Sequence, residues 1–108
     1  MITADNGARR TGEFCKASYE ALEACKVSSA TCLKRYHVDA TATLANAKAS
    51  SDYLFGVASW LEDLDQMYLE GRSIARKIHD GAASAASVDS DIAAFKETCQ
   101  ILIGASQL

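Results

Sequence analysis

One stretch determines the fold of this chain: Asp63-Leu64-Asp65-Gln66-Met67-Tyr68-Leu69-Glu70-Gly71-Arg72-Ser73-Ile74-Ala75-Arg76-Lys77-Ile78-His79-Asp80-Gly81. Asp63 and Gln66 have the three-residue spacing of a capping box, which predicts the start of a helix. Gly81 predicts a left-handed cap at its other end. Between these points, apolar and small residues recur at three- and four-residue steps and form one stripe on a helix of period 3.6. The stripe consists of Leu64, Met67, Tyr68, Gly71, Ile74, Ala75 and Ile78.

The composition favours helices in the rest of the chain. Its 108 residues include no proline and six glycines, so few positions interrupt a helix. Apolar residues make up 49% of the chain but aromatic residues only 7%, which predicts long, thin helices rather than a thick core. We therefore predict an all-α fold, an elongated amphipathic helical hairpin or bundle that resembles a coiled coil. Residues 1–10 are predicted to form a flexible leader and residues 11–108 a single helical domain.

The first half of the chain, residues 11–60, predicts one long helix or two abutting helices. Gly12 and Gly56 are the positions that weaken this helical pattern. Several members of its apolar stripe are small, so each contact buries little area at about 25 cal/mol per Å². The stripe comprises Phe14, Leu22, Cys25, Cys32, Tyr36, Ala40, Thr43, Ala47, Leu54, Ala58 and Leu61.

Two further helices are predicted in the second half. A break near residues 61–63 precedes the helix that runs to about Asp80. The last helix is predicted from residue 91 to about residue 103, after a stretch in which Val88 is the one large apolar residue. Its candidate caps are Ser87, Asp89 and Ser90. Its apolar stripe consists of Ile92, Phe95, Cys99, Leu102 and Ile103.

Charge and hydropathy exclude several classes of protein. The formal net charge is -3 and the isoelectric point is near 5.2, whereas a nucleic-acid module needs a basic stripe that neutralises phosphates. No apolar run approaches the roughly 20 residues that cross a bilayer, and the polar N-terminus has no signal-peptide core. We therefore expect no nucleic-acid partner, no transmembrane segment and a cytoplasmic protein.

The four cysteines, Cys15, Cys25, Cys32 and Cys99, raise the question of thiol chemistry. Cys25 and Cys32 are seven residues apart, hence two helical turns and about 10 Å, too far for a disulfide with each other. Cys99 is a potential neighbour of one of them. A thiol-binding or metal-binding helical bundle stays open as an alternative to buried, reduced cysteines that act as small hydrophobic residues.

Catalytic motifs are missing from the sequence. It contains no glycine-rich phosphate loop, no Glu-x-x-His pair and no recognisable pairing of a nucleophile with a base. His37 and His79 are potential nitrogen ligands, but they are most simply surface or helix-end residues. We predict a protein that is not an enzyme, with no metal and no cofactor.

The order of segments resembles the phasins, helical proteins that coat polyhydroxyalkanoate storage granules in bacteria. The resemblance covers residues 19–81 and is carried by four segments. They are residues 19–24 (Tyr-Glu-Ala-Leu-Glu-Ala), the Ala/Ser/Thr-rich residues 39–50, residues 63–66 (Asp-Leu-Asp-Gln) and residues 74–80 (Ile-Ala-Arg-Lys-Ile-His-Asp). The resemblance implies a non-enzymatic protein at the granule surface in the cytoplasm, with the polyester and other granule proteins as partners.

A granule coat places apolar side chains on the polyester and charges toward water, as an amphipathic interfacial helix does. The same apolar residues fit a second interpretation, the core of an intramolecular or coiled-coil packing. The candidate residues for polymer binding or an oligomer interface are Tyr53, Leu54, Val57, Trp60, Leu61, Leu64, Met67 and Tyr68, where most of the aromatic content is concentrated.

Two further predictions concern partners. A thin hairpin would leave Trp60, Met67, Tyr68, Ile74 and Ile78 in water, which predicts a homo-oligomer that covers them. The alternative function is a small secretion-linked or chaperone-type helical hairpin, a class with a Trp-x-Gly turn near its middle. Trp60 lies near the middle here, but Glu62 stands where that class has glycine.

Overall fold

The described part of the chain folds into four α-helices. The computed structural model describes residues 4–50 and 57–105, and places side chains for residues 9–48 and 60–104. The helices are α1 (Ala4–Cys25), α2 (Cys32–Ser50), α3 (Val57–His79) and α4 (Ala85–Ala105), with a 3-10 turn at Ser29–Thr31 before α2. No strand occurs in the described ranges, and the predicted all-α class is confirmed.

The helices pack as a bundle in which α1 contacts each of the other three. The radius of gyration of the Cα atoms is 14.0 Å, and the principal extents are 42 × 22 × 16 Å. A compact domain of this length has a radius of gyration of about 13 Å. The elongated, coiled-coil-like shape that the sequence predicts is therefore not confirmed, because α4 folds back onto α1 and shortens the molecule.

Residues 4–50 form two helices, one of the two alternatives that the sequence predicts for the first half of the chain. α1 ends at Cys25, and the amide of Ser28 donates to the carbonyl of Ala24 over 3.1 Å as the chain turns. Residues 4–10, which the sequence predicts to be part of a flexible leader, belong to α1. The turn at residues 26–28 lets α2 fold back against α1.

The predicted start of α3 is wrong. The helix begins at Val57, so the expected break at residues 61–63 lies inside it. Asp63 and Gln66 are exposed on the helix surface. Their spacing fits a capping box, but two exposed polar residues are tolerated equally well inside a helix. The spacing alone therefore does not mark the start of a helix.

The predicted end of α3 is confirmed. Gly81 has a φ of 67°, the left-handed conformation that glycine adopts without a Cβ penalty. The amide of Ala82 donates to the carbonyl of Lys77 over 3.0 Å, and the amide of Gly81 donates to that of Ile78 over 3.2 Å. This pair of bonds is a Schellman motif, which satisfies two carbonyls of the last turn.

α4 starts at Ala85, six residues before the predicted position, so that prediction is wrong. Its cap is Ser84, whose hydroxyl accepts a hydrogen bond from the amide of Ser87 over 3.2 Å. Val88 is buried and anchors the extra turns against the core. The predicted apolar stripe is confirmed: Ile92, Phe95 and Cys99 are buried, and Leu102 and Ile103 are partly buried against the core.

Candidate functional site

The predicted adhesive residues do not form one exposed surface. Leu64 and Met67 are 0% and 3% exposed and belong to the bundle core, as the intramolecular interpretation of the stripe requires. Three others are partly buried at the edge of the core: Trp60, Leu61 and Tyr68. Tyr53 and Leu54 lie outside the described residues, and Val57 opens α3 at a position whose side chain is not described.

Trp60 joins α3 to α1. Its indole Nε1 donates a hydrogen bond to Thr11 Oγ1 over 2.9 Å. Thr11 is fully buried in α1, and the indole ring packs against the core, so this contact combines an apolar body with a satisfied polar group. Trp60 is therefore a structural anchor in the folded bundle.

Tyr36 lies at the centre of the helix packing and is completely buried. Its hydroxyl donates to the carbonyl of Tyr68 over 2.8 Å, which ties α2 to α3. Burial raises the pKa of Tyr36, so the phenol stays neutral in the fold. The ring occupies the space beside Gly71, where a Cβ would lie 2.7 Å from Cε2 and closer still to Cζ and the hydroxyl. The glycine in α3 is therefore a packing requirement.

A small polar cluster borders the α2–α3 interface. His37 Nδ1 lies 2.9 Å from the hydroxyl of Tyr68, and the hydroxyl of Thr41 donates to the same oxygen over 3.4 Å. The ring of Tyr68 also lies 5.6 Å from that of Tyr36, between centroids. Tyr68 thus has an apolar body against the core and a polar tip at the surface, which limits how much of it an apolar surface can contact.

A groove runs between α3 and α4. Its volume is 260 Å³, and its lining includes the apolar side chains of Ile74 and Phe95. Glu70 and Asp91 contribute carboxylates to the same lining, and Lys77 Nζ lies 4.0 Å from Asp91 Oδ2. The groove therefore has an apolar lining with one carboxylate from each helix, and that of Asp91 already pairs with Lys77. Sequence reasoning missed this groove, because it depends on the early start of α4 and on how the two helices cross.

The prediction that Cys25 and Cys32 cannot pair is wrong, because they form a disulfide with a Cα–Cα separation of 4.7 Å. The prediction assumed a continuous helix, whereas the turn between α1 and α2 brings the two residues together. Cys15 and Cys99 are free and buried. Interaction with the thiol of Cys15 and burial raise the pKa of Cys99.

Metal-ligating residues are scattered over the bundle. Across residues 4–50 and 57–105, no group of three or more His, Cys, Asp or Glu side chains is arranged to hold a metal ion. His79 Nδ1 lies 2.9 Å from Asp80 Oδ1 at the end of α3, far along the chain from His37. The expectation of no cofactor and the alternative of a thiol-binding bundle both remain predictions.

None of the helices in the described part of the chain has the length and apolar character needed to cross a membrane. The chain matches no model of a protein family, and comparison with curated proteins and with solved structures finds no match. The resemblance to phasins therefore rests on the sequence segments alone and stays a prediction.

Proposed function

We propose that this protein is a non-enzymatic coat that binds a hydrophobic polyester surface through the apolar face of α3. One observation carries the proposal: over 23 residues, α3 separates an apolar face, which the bundle buries, from a charged outer face. A helix that lies on an apolar surface has the same division. The outer face carries Glu62, Asp63, Asp65, Glu70, Arg72, Arg76 and Lys77.

In this proposal α3 leaves the bundle core and contacts the polymer. Leu64 and Met67 then exchange one apolar environment for another, so most of the burial free energy is kept, at about 25 cal/mol per Å². The exchange breaks the hydrogen bond of Trp60 to Thr11 and that of Tyr36 to the backbone of Tyr68. Loss of each hydrogen bond costs about 0.5–1.5 kcal/mol. The free energy gained from contact with the polymer has to exceed this cost.

The contacts that hold α3 on its outer sides are weak. Lys48 of α2 pairs with Asp65 over 3.0 Å, and Lys77 pairs with Asp91 of α4 over 4.0 Å. Both pairs are exposed to water, and such pairs contribute about 0–1 kcal/mol each. Because a groove lies between α3 and α4, fewer side-chain contacts hold α3 on the side that faces α4. These features support release of α3 as the step that precedes binding.

Location and partners follow from the proposed coat: the granule surface in the cytoplasm, with other granule proteins beside it. A homo-oligomer is proposed for the surface-bound layer, where neighbouring released helices meet. The homo-oligomer was predicted because a thin hairpin would leave apolar side chains in water. In the bundle, Met67 and Ile78 are already buried within one chain. Trp60, Tyr68 and Ile74 also pack partly against that core.

The test is sedimentation with polyhydroxybutyrate particles. Wild-type protein should sediment, and Leu61→Ser should bind more weakly, because Leu61 is only partly buried in the bundle and gains apolar contact on the polymer. Leu69→Ser is the matched control on the same helix, since Leu69 is 51% exposed and lies outside the core. Both variants are first checked for wild-type helicity. The coat proposal fails if the wild-type protein stays in the supernatant with an inert control protein.

The disulfide favours a second candidate, the secretion-linked or chaperone-type interaction protein. A Cys25–Cys32 bond persists in oxidising compartments and is rare in the cytosol. Alkylation of free thiols in intact cells, followed by mass analysis, separates the candidates. Reduced Cys25 and Cys32 in a granule fraction support the coat, whereas an intact disulfide in a granule-free, extracytoplasmic fraction supports the interaction protein.

A further inference from the structure

The disulfide between Cys25 and Cys32 is buried against the last part of α3. Both cysteines are 1% exposed, and Cys32 Sγ lies 3.3 Å from the carbonyl oxygen of Ala75, a fully buried residue of α3. α4 reaches the same turn through an ion pair between Lys26 and Asp89, but both of these side chains are exposed to water. The buried contact of the disulfide is therefore with α3.

The position of Cys32 suits both of its redox states. A disulfide sulfur carries no proton, so its contact with the carbonyl of Ala75 is not a hydrogen bond in the oxidised protein. Reduction adds a proton to the sulfur, and the thiol can then donate to that carbonyl, which has two lone pairs. The reduced cysteine therefore has an acceptor already in place, and the bundle accommodates both states.

The disulfide also joins the two helices on which α3 packs. Cys25 ends α1 and Cys32 begins α2, and α3 contacts both helices. Without the cross-link these two ends are free to separate, which weakens the surface that holds the last two turns of α3, residues 72–79. We propose that Cys25 and Cys32 form a redox-sensitive switch: the docked residues 72–79 shield the disulfide from reductants, and its reduction in turn weakens their docking. The inference concerns the bundle alone and is independent of the proposed polymer binding.

The reaction is thiol–disulfide exchange with a dithiol such as dithiothreitol. One thiolate of the reductant attacks a sulfur of the disulfide, forms a mixed disulfide and releases the other cysteine, which takes up a proton. The second thiol of the reductant then closes a ring on the mixed disulfide and releases the remaining cysteine. Two electrons and two protons pass from the dithiol to the protein. Because both cysteines are buried, residues 72–79 have to lift before this attack.

The first experiment measures how fast dithiothreitol reduces the disulfide in the folded, full chain. Samples are quenched with N-ethylmaleimide in denaturant, and peptide mapping follows the label on Cys25 and Cys32 over time. Urea below the unfolding transition should raise the logarithm of the rate with a slope well below the m-value of global unfolding, because lifting two turns exposes little surface. A slope equal to that m-value would show that the disulfide is reached only through global unfolding, and would overturn the proposal.

Two matched variants test the role of α3. Ile78 lies one turn beyond Ala75 on the same buried face, whereas Leu44 lies in α2, 12 residues and about 18 Å along the helix from Cys32. The two side chains are 9% and 8% exposed, and alanine removes three carbon atoms from each. The disulfide should be reduced about tenfold or more faster in Ile78→Ala and within about twofold of the wild-type rate in Leu44→Ala. Equal acceleration in both variants, or none in Ile78→Ala, overturns the proposal.

A third experiment tests the effect of reduction on α3. Amide hydrogen exchange is compared between the oxidised protein and protein kept reduced with dithiothreitol. Residues 72–79 should exchange several-fold faster in the reduced protein, whereas residues 92–99 in α4 should exchange at an unchanged rate. Unchanged exchange of residues 72–79 overturns the switch. A uniform rise across the helices overturns it as well, because that is the behaviour of a simple structural cross-link.

Discussion

Replacement of Gly71 by alanine tests the central packing contact of the bundle. The new Cβ would lie 2.5 Å from Cζ and 2.7 Å from Cε2 of Tyr36, well inside van der Waals contact. Tyr36 is fully buried, and its hydroxyl donates a hydrogen bond to the carbonyl of Tyr68. A displaced ring would lose this hydrogen bond. The ring or one of the two helices therefore has to shift.

The magnitude follows from opposing contributions. Alanine in place of glycine inside a helix stabilises by about 0.5–1 kcal/mol when nothing opposes it. Overpacking a close-packed core costs about 1–3 kcal/mol, and loss of the Tyr36 hydrogen bond costs about 0.5–1.5 kcal/mol. The net expectation for Gly71→Ala is a loss of about 1–3 kcal/mol in the free energy of unfolding.

Urea denaturation followed by circular dichroism measures this change, with the m-value checked for two-state behaviour. Gly12→Ala is the matched control, because Gly12 lies within α1 and a Cβ there would meet nothing within 4 Å. That control should be as stable as the wild type or more stable. Tyr36→Phe should partly relieve Gly71→Ala, since it removes the nearest atom, and the two changes should be non-additive. A Gly71→Ala protein at least as stable as Gly12→Ala would refute the reasoning.

Three further outcomes are expected. Ser84→Ala should cost about 1 kcal/mol, because Ser84 caps α4, whereas Ser90→Ala at an exposed position within α4 should change the denaturation midpoint little. Burial raises the pKa of Tyr36, so the unfolded chain loses the phenol proton at a lower pH than the folded chain does. The free energy of unfolding should therefore fall as pH rises above about 10, by up to about 1.4 kcal/mol per pH unit. Urea midpoints measured across this pH range should fall less steeply in Tyr36→Phe. Trp60→Phe should lower the thermal midpoint through loss of its bond to Thr11, with a cost of about 0.5–1.5 kcal/mol, and an unchanged midpoint would show that this bond contributes nothing.

The parts of the fold that sequence could predict are those encoded locally. The stripe of α3 repeats every three or four residues, and its buried members Leu64, Met67 and Ile78 lie where that period places them. Gly81 was predictable for a similar reason, because the left-handed conformation selects glycine. These features need no knowledge of the neighbouring helices.

The errors come from signals that were weak or depended on distant residues. The turn between α1 and α2 has the sequence Lys-Val-Ser at residues 26–28, without glycine or proline, so nothing marked the reversal that pairs Cys25 with Cys32. The groove between α3 and α4 depends on tertiary packing. So does the influence of Cys15 on the pKa of Cys99, which no spacing in the sequence could reveal.

The disulfide across the first turn changes what a protease can do to this molecule. Val27 is 91% exposed in that turn, and Lys26 beside it is a cleavage site for trypsin-like enzymes. A cut after Lys26 breaks the backbone inside the small ring that Cys25 and Cys32 close. The disulfide then holds the two pieces together as one covalent molecule, with α1 in place. The nicked protein therefore has the electrophoretic mobility of the intact chain until a reductant separates the two pieces.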